Sequence, residues 1–313
     1  MKRVSLLWSL LLVCVWNLSA QTRELTEEEL DDRFNFYVVN DLGRNGYYDQ
    51  RPIAERMGEM EPVVGFEFIA ALGDVHHFEG VASVNDPLWM TNYELVYAHP
   101  DLMVDWFPIL GNHEYRGNTQ AVLDYARVSR RWSMPARYYT KLYEIEDTDA
   151  SIRLIFIDTT PLIDKYRKED GYPDARKQDN DRQLRWLDSV LTVNKATWTV
   201  VMGHHPIYAQ TSKSDTERAD MQQRVNTILL KHNVDMYVCG HIHNYQHIRR
   251  PDSPIDYIVN TSASLSREVE PTEGTVFCSG ATGFSVCSAS AKDLKFYMLD
   301  KDGRVLHVVE RRK

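Results

Sequence analysis

Apolar residues along this chain fall in short runs that end repeatedly in glycine and a polar or titratable residue. Phe34 to Val39 leads into Asn40-Asp41-Leu42-Gly43, and Phe66 to Leu72 into Gly73-Asp74-Val75-His76-His77. Trp106 to Leu110 gives way to Gly111-Asn112-His113-Glu114, and Trp198 to Met202 to Gly203-His204-His205-Pro206. Met236 to Val238 is followed by Cys239-Gly240-His241-Ile242-His243. Runs of this length, bounded by glycine and rich in β-branched and aromatic residues, predict buried strands. Between them the period becomes helical. Residues 46–61 predict a loop and a helix that Pro62 breaks, and Leu88, Tyr93, Val96 and Tyr97 predict a helix after Pro87. Three more helices are expected: around Val122 to Val128, on the face Leu184, Leu187 and Leu191, and behind the capping box Ser214-x-x-Glu217.

The polar stretch Thr159 to Asp181, interrupted by prolines and a glycine, reads as a solvated loop. Tyr138 to Ile145 and Ile152 to Ile157 read as paired strands, and Leu294 to Leu299 and Val305 to Val309 bracket an Asp302-Gly303 hairpin turn. The first three quarters therefore alternate strand and helix, and the last quarter is mostly strand. No internal repeat or composition shift marks a boundary, so residues 21–313 are expected to form one α/β domain.

The first twenty residues break this pattern. Lys2 and Arg3 precede an apolar run, Leu6 to Trp16, and Leu18-Ser19-Ala20 makes a small-residue cleavage site. Residues 1–20 are predicted to be a signal peptide, and its run is shorter than the ~20 residues a membrane span needs. The mature protein is expected to be exported, periplasmic or extracellular, with no later membrane span. Cys14 leaves with the signal. Cys239, at a strand end, is expected to be a buried thiol. Cys278 and Cys287 flank a glycine-bearing segment, and their spacing alone leaves a disulfide open. A net charge of −9 without a Lys/Arg-rich run argues against a nucleic-acid surface.

Five strand ends carry Asp41, Asp74, Asn112, His204 and the pair His241/His243, and sites in open α/β sheets form outside the carboxyl ends of strands. Imidazole, carboxylate and amide oxygen together suit zinc, iron or manganese. The two oxygens of Asp74 suit a residue that bridges two ions. Missing cysteine pairs argue against a structural zinc cluster, and no phosphate-loop sequence occurs. His76 and His77 are rivals for one role. His205 either contacts substrate or packs before Pro206, and His99, His232, His247 and His307 are expected as surface or core histidines.

In order and spacing these motifs resemble the metallophosphatase superfamily, most closely the small purple acid (tartrate-resistant) phosphatases. The family pattern is Asp-x-Gly, Gly-Asp-x-x-Tyr, Gly-Asn-His-Asp/Glu, Val-x-x-His and Gly-His-x-His. It is matched at Asp41 to Gly43, Gly73 to His77, Gly111 to Glu114, Val201 to His204 and Gly240 to His243. The likeness continues in Phe78-Glu79-Gly80-Val81 and Gln183-Leu184-x-Trp186-Leu187.

The resemblance implies two facing mixed β-sheets flanked by helices. It implies two metal ions, one held by Asp41, Asp74, His243 and the residue at the family's Tyr place, the other by Asp74, Asn112, His204 and His241. A metal-bound hydroxide would attack a phosphate monoester, with His113 protonating the leaving group, Asn112 and His205 near the substrate, and Glu114 orienting His113. His77 stands where the family has its iron-binding tyrosine. That change favours two divalent ions (zinc, manganese or ferrous iron), little colour and a pH optimum moved from acid toward neutral. Asn40 replaces the family's usual Gly and is expected to affect only the turn. The expected partner is a small phosphorylated substrate, and no protein partner is inferable. A phosphodiesterase or nucleotidase on the same scaffold, or a secreted binding protein whose catalysis has lapsed, are the alternatives.

Overall fold

The computed structural model describes residues 22–313; the signal peptide expected at residues 1–20, with Cys14, lies outside them. In chain order the strands are β1 Arg23–Glu24, β2 Phe34–Val39, β3 Ile69–Ala71, β4 Trp106–Pro108, β5 Tyr139–Glu144, β6 Ser151–Phe156 and β7 Trp198–Met202. They continue as β8 Met236–Cys239, β9 Tyr245–Arg249, β10 Asp256–Val259, β11 Thr275–Ser279, β12 Gly283–Ala289, β13 Asp293–Asp300 and β14 Arg304–Arg312.

Two mixed sheets result, each of seven strands, in the orders β1-β14-β13-β12-β2-β3-β4 and β11-β9-β10-β8-β7-β6-β5. In the first sheet β2, β3 and β4 run parallel; in the second, β6, β7, β8 and β10 do. The inner faces meet in one continuous core. Phe68 stacks on Tyr143 with ring centroids 5.3 Å apart, and Phe107 lies 6.3 Å from Phe156. The parallel strands β7 and β8 are buried at every position, because a crossover-connected sheet is covered on both faces. The C-terminal hairpin forms as its Asp302-Gly303 turn predicts, pairing β13 with β14 antiparallel.

Three local expectations change. Pro62 does not end the structure but sits in the first turn of a second short helix, Glu61–Val64, where a missing N–H costs nothing. The 159–181 stretch is not a solvated loop: it forms a 3-10 turn Thr160–Leu162, a helix Asp164–Lys168 and another 3-10 turn Ala175–Lys177. Tyr166 and Tyr172 anchor it, both buried and packed edge to face at 4.8 Å. Its apolar residues are too sparse to show a period, yet Leu162, Tyr166 and Ala175 each bury a turn.

Ser214 caps the helix Asp215–Met221 through the Thr216 N–H, whereas Glu217 turns inward instead of completing a capping box. Cys278 lies on β11 of one sheet and Cys287 on β12 of the other, and both are free thiols, as is the buried Cys239. Among the described residues no helix is long and apolar enough to cross a membrane.

Candidate metal centre

The carboxyl ends of β2, β3 and β4 present Asp41, Asp74 and Asn112. Those of β7 and β8, in the opposing sheet, present His204, His241 and His243. Four of these residues sit in the left-handed region: Asp41 at φ 52°, Asp74 at 53°, His241 at 73° and His243 at 64°. Each such residue costs about 1–2 kcal/mol, so packing must hold the conformation. Gly73 makes the close approach possible. A Cβ there would lie 2.7 Å from the Gly111 nitrogen and 2.7 Å from His204 Nδ1.

Each carboxylate is tied down by one oxygen and presents the other. Asp41 Oδ2 accepts from Asn40 Nδ2 at 2.7 Å and from the His241 N–H at 2.8 Å. Asp41 Oδ1 faces His243 Nε2 at 3.1 Å, without hydrogen-bond alignment. Asp74 Oδ1 accepts from the His113 N–H at 2.9 Å. Asp74 Oδ2 lies 3.1 Å from His204 Nε2, 3.6 Å from His77 Nε2 and 3.8 Å from His113 Nε2. His204 Nε2 in turn lies 3.3 Å from His241 Nδ1. The rings are aimed from behind, since Nδ1 of His204 meets the Leu72 carbonyl and Nδ1 of His243 the Leu265 carbonyl, each at 2.8 Å.

Several of these atoms have no protein partner. Asp41 Oδ1, Asn112 Oδ1 and both nitrogens of His77 are buried without a hydrogen bond. Buried polar atoms are normally paired, so converging orphans of this kind need another partner. Four sets could hold an ion: Asp41/His77/His243, Asp41/Asp74/His204, Asp74/His77/His113 and His204/His205/His241. A mixed oxygen and imidazole donor set fits zinc, manganese or iron. Burial disfavours the charged carboxylates, but the surrounding imidazoles, His243 for Asp41 and His204 for Asp74, hold both well below the usual range. The same carboxylates overcome burial to raise His204 to about 9.

The structure separates the rival histidines. His77 faces the cluster. His76 turns into the core, edge-on to Trp89 at 4.4 Å and 3.3 Å from Asn92 Nδ2. His205 is fully buried behind His241, with Nδ1 at 2.8 Å from Thr159 Oγ1 and its ring against Tyr166. Its Nε2 is buried without a hydrogen bond, on the side shared with His204 and His241. The segment before Pro206 runs under β8, whose Tyr237 hydroxyl donates to the His205 carbonyl.

Glu114 also differs from expectation. It accepts from the N–H groups of Gly111 at 2.7 Å, Asp74 at 2.9 Å and His76 at 3.0 Å, so it braces two metal-facing loops. His113 is instead oriented by the Phe78 carbonyl, 2.6 Å from Nδ1. Asn40 does more than shape a turn, because its amide holds the outer oxygen of Asp41.

Glu217 was legible only as a capping residue. Its Oε2 lies 3.1 Å from His241 Nε2, and Lys213 Nζ lies 2.8 Å from the same nitrogen. Only tertiary contact shows this, since the chain from Lys213 to Glu217 reads as an ordinary helix start.

A model of the calcineurin-like phosphoesterases matches residues 34–245. Purple acid phosphatase 3 of Arabidopsis thaliana is 30% identical, over 95% of this chain and 83% of its own length. The chain belongs to the calcineurin-like phosphoesterases, in their purple acid phosphatase branch. Tartrate-resistant acid phosphatase type 5 of Oryctolagus cuniculus is 28% identical over 82% of this chain and 80% of its own. Kinship of this extent makes the chain a phosphatase-type, metal-dependent hydrolase. Solved structures share the fold. The anchor in the inner membrane complex of Plasmodium, GAP50, superposes with a TM-score of 0.77 at 24% identity, over 90% of this chain and 89% of its own. Purple acid phosphatase PPD1 from Lupinus luteus seeds does so with 0.64 at 14% identity, over 90% of this chain and 54% of its own.

Proposed function

We propose that this is an exported two-metal phosphomonoesterase, acting in the periplasm or outside the cell. Asp41, Asp74, His77 and His243 would hold one ion, and Asp74, Asn112, His204 and His241 the other. The observation that carries this reading is the set of buried, unpartnered ligand atoms around Asp41, His77 and Asn112. When bound, such a pair of ions clamps a phosphate and supplies an ionised water as nucleophile.

The residues divide the remaining work. Asp74, whose Oδ2 lies 3.6 Å from His77 Nε2 and 3.1 Å from His204 Nε2, would serve both ions. Asn40 and the His241 N–H keep Asp41 Oδ1 pointed inward. His113, whose side chain is 15% exposed, borders the opening. Burial lowers its pKa below the ordinary imidazole value, against the opposing charge of Asp74. Its Nε2 stands over the cluster, and from that position His113 is the group placed to donate to the departing alkoxide. Asn112 and His113 flank the phosphate. His77 offers a neutral imidazole where the family's phenolate would favour a trivalent ion, so the pair is divalent and the protein has no strong visible charge-transfer band.

Metal analysis of the mature protein, purified without chelators, tests the reading together with rates on a phosphate monoester and a diester. Two ions per chain and faster monoester hydrolysis are expected. His113→Ala should keep both ions and lose about 10²–10³-fold in kcat. Diester preference would replace the monoester assignment, and a protein that binds no metal and hydrolyses neither ester would be a binding protein on this fold.

A further inference from the structure

His241 differs from the other rings of the cluster in what stands behind it. His204 and His243 turn Nδ1 to main-chain carbonyls, those of Leu72 and Leu265. His241 has Nδ1 on the cluster side, 3.3 Å from His204 Nε2, and meets charged side chains at Nε2. Glu217 Oε2 lies 3.1 Å from that nitrogen, and Lys213 Nζ lies 2.8 Å from it. The two neighbours make opposite demands. A carboxylate only accepts and needs an N–H, whereas an ammonium only donates and needs the lone pair. A neutral imidazole has one proton for two nitrogens, so the partner at Nε2 decides the state of Nδ1. With the proton on Nε2, Nδ1 turns a lone pair to the cluster, as a metal ligand must. With the proton on Nδ1, it presents an N–H and does not ligate.

Glu217 is built into the fold more firmly than Lys213. It is buried on the helix Asp215–Met221. Its Oε1 accepts from Lys165 Nζ at 2.8 Å and from the Tyr166 hydroxyl at 3.1 Å, which leaves Oε2 for His241. Lys165 and Tyr166 lie on the helix Asp164–Lys168, and that helix is fastened in turn. The Asp164 N–H donates to Asp220 Oδ2 at 2.8 Å, and Arg224 Nη2 donates to Asp164 Oδ1 at 2.7 Å. Lys213 is half-buried ahead of the Glu217 helix and has a second acceptor in the His241 carbonyl at 3.1 Å, so it can yield the ring nitrogen. His205 packs on the ring with centroids 4.3 Å apart and holds its plane.

We propose that Glu217 is a positioning residue for the metal centre: its Oε2 takes the Nε2 proton of His241 and so keeps the Nδ1 lone pair on the cluster, with Lys213 as the competing partner. This rests on the two-metal reading and adds what prepares the histidine of one ion. Through Lys165 and Tyr166 the 159–181 segment reaches the metal centre without touching an ion.

The test combines zinc binding with nitrogen NMR of the histidine rings in metal-free protein, the His241 signals being assigned by their absence in His241→Gln. The wild type should carry the His241 proton on Nε2. In Glu217→Gln the amide oxygen stays with Lys165 and Tyr166, so the NH2 faces His241 and should move the proton to Nδ1. One of the two zinc ions should then bind about 10–100-fold more weakly in competition with a chelator, and the other should stay within about twofold of wild type. Lys213→Met, at a half-buried position whose loss does not threaten folding, should keep the wild-type tautomer and bind both ions at least as tightly. A wild type with the proton on Nδ1, or a reversed tautomer in Lys213→Met, overturns the proposal. So does an unchanged tautomer or unchanged zinc affinity in Glu217→Gln, or equal weakening of both ions. If Glu217→Gln does not fold, the wild-type and Lys213→Met spectra decide. If the wild type takes up no zinc, the two-metal reading fails by itself, and the spectra still decide whether Glu217 sets the ring.

Discussion

Histidine and aspartate are concentrated in two buried places, and the two are wired differently. At the carboxyl ends of β2, β3, β7 and β8 the lone pairs of Asp41, Asp74, His77, His204 and His243 converge with few hydrogen bonds between them. Where β9, β10 and β14 meet, every group has a partner. Asp256 Oδ1 accepts from His247 Nε2 at 2.8 Å and Arg249 Nε at 2.5 Å, and Oδ2 accepts from Arg311 Nη1 at 3.2 Å. His247 Nδ1 meets His307 Nε2 at 2.9 Å. The second cluster ties one sheet to the other and is electrically complete. The first is complete only with cations. Residue type alone does not make a metal centre; unsatisfied donors aimed at one point do.

The largest test of that contrast is Asp74→Ala. Removing the shared oxygen should abolish binding of both ions and lower kcat/KM by about 10³-fold or more. Asp256→Asn should leave metal content at the wild-type value, and elemental analysis of the two variants reads the difference. Retention of two ions by Asp74→Ala would erase the distinction between the clusters.

Asn40→Ala removes an amide that ties down Asp41 without touching the cluster itself. Metal affinity should weaken about 10–100-fold, measured by competition with a chelator, as for other groups that orient a ligand from behind. His247→Ala should do the opposite. It should cost about 1–2 kcal/mol in urea unfolding, by orphaning one interaction of Asp256, with no change in bound metal.

The last test concerns pH. Burial, then the neighbouring His247 and Arg249, push His307 down to about 4, against about 6.5 in an unfolded chain. As pH falls from 6.5 toward 4 the unfolded chain takes up this proton first, so the stability contributed by neutral His307 is present above 6.5 and lost across that window. His307→Gln keeps a donor for His247 and should flatten the dependence of Tm on pH there. An unchanged slope would mean that other groups carry it.

Much of this molecule is a local matter and is legible along the chain. Apolar runs ending in glycine specify β2, β3, β4, β7 and β8, and the side chain just past each end is a property of that end. Asp302-Gly303 specifies the last hairpin for the same reason. These motifs also sufficed to point to the family, because their order along the chain follows the order of the strands.

What the tertiary structure decided concerns direction. Adjacent His76 and His77 are alike in sequence, yet only His77 faces Asp74, because the turn after Gly73 sends consecutive side chains to opposite sides. Asn40, Glu114 and Glu217 read as a turn residue, a partner for His113 and a helix cap. They act instead as a clamp on Asp41, a brace across two loops and a neighbour of His241. Each of those contacts crosses from one element to another, and the distance between elements is set by how the strands register and the sheets pack, which no local period records.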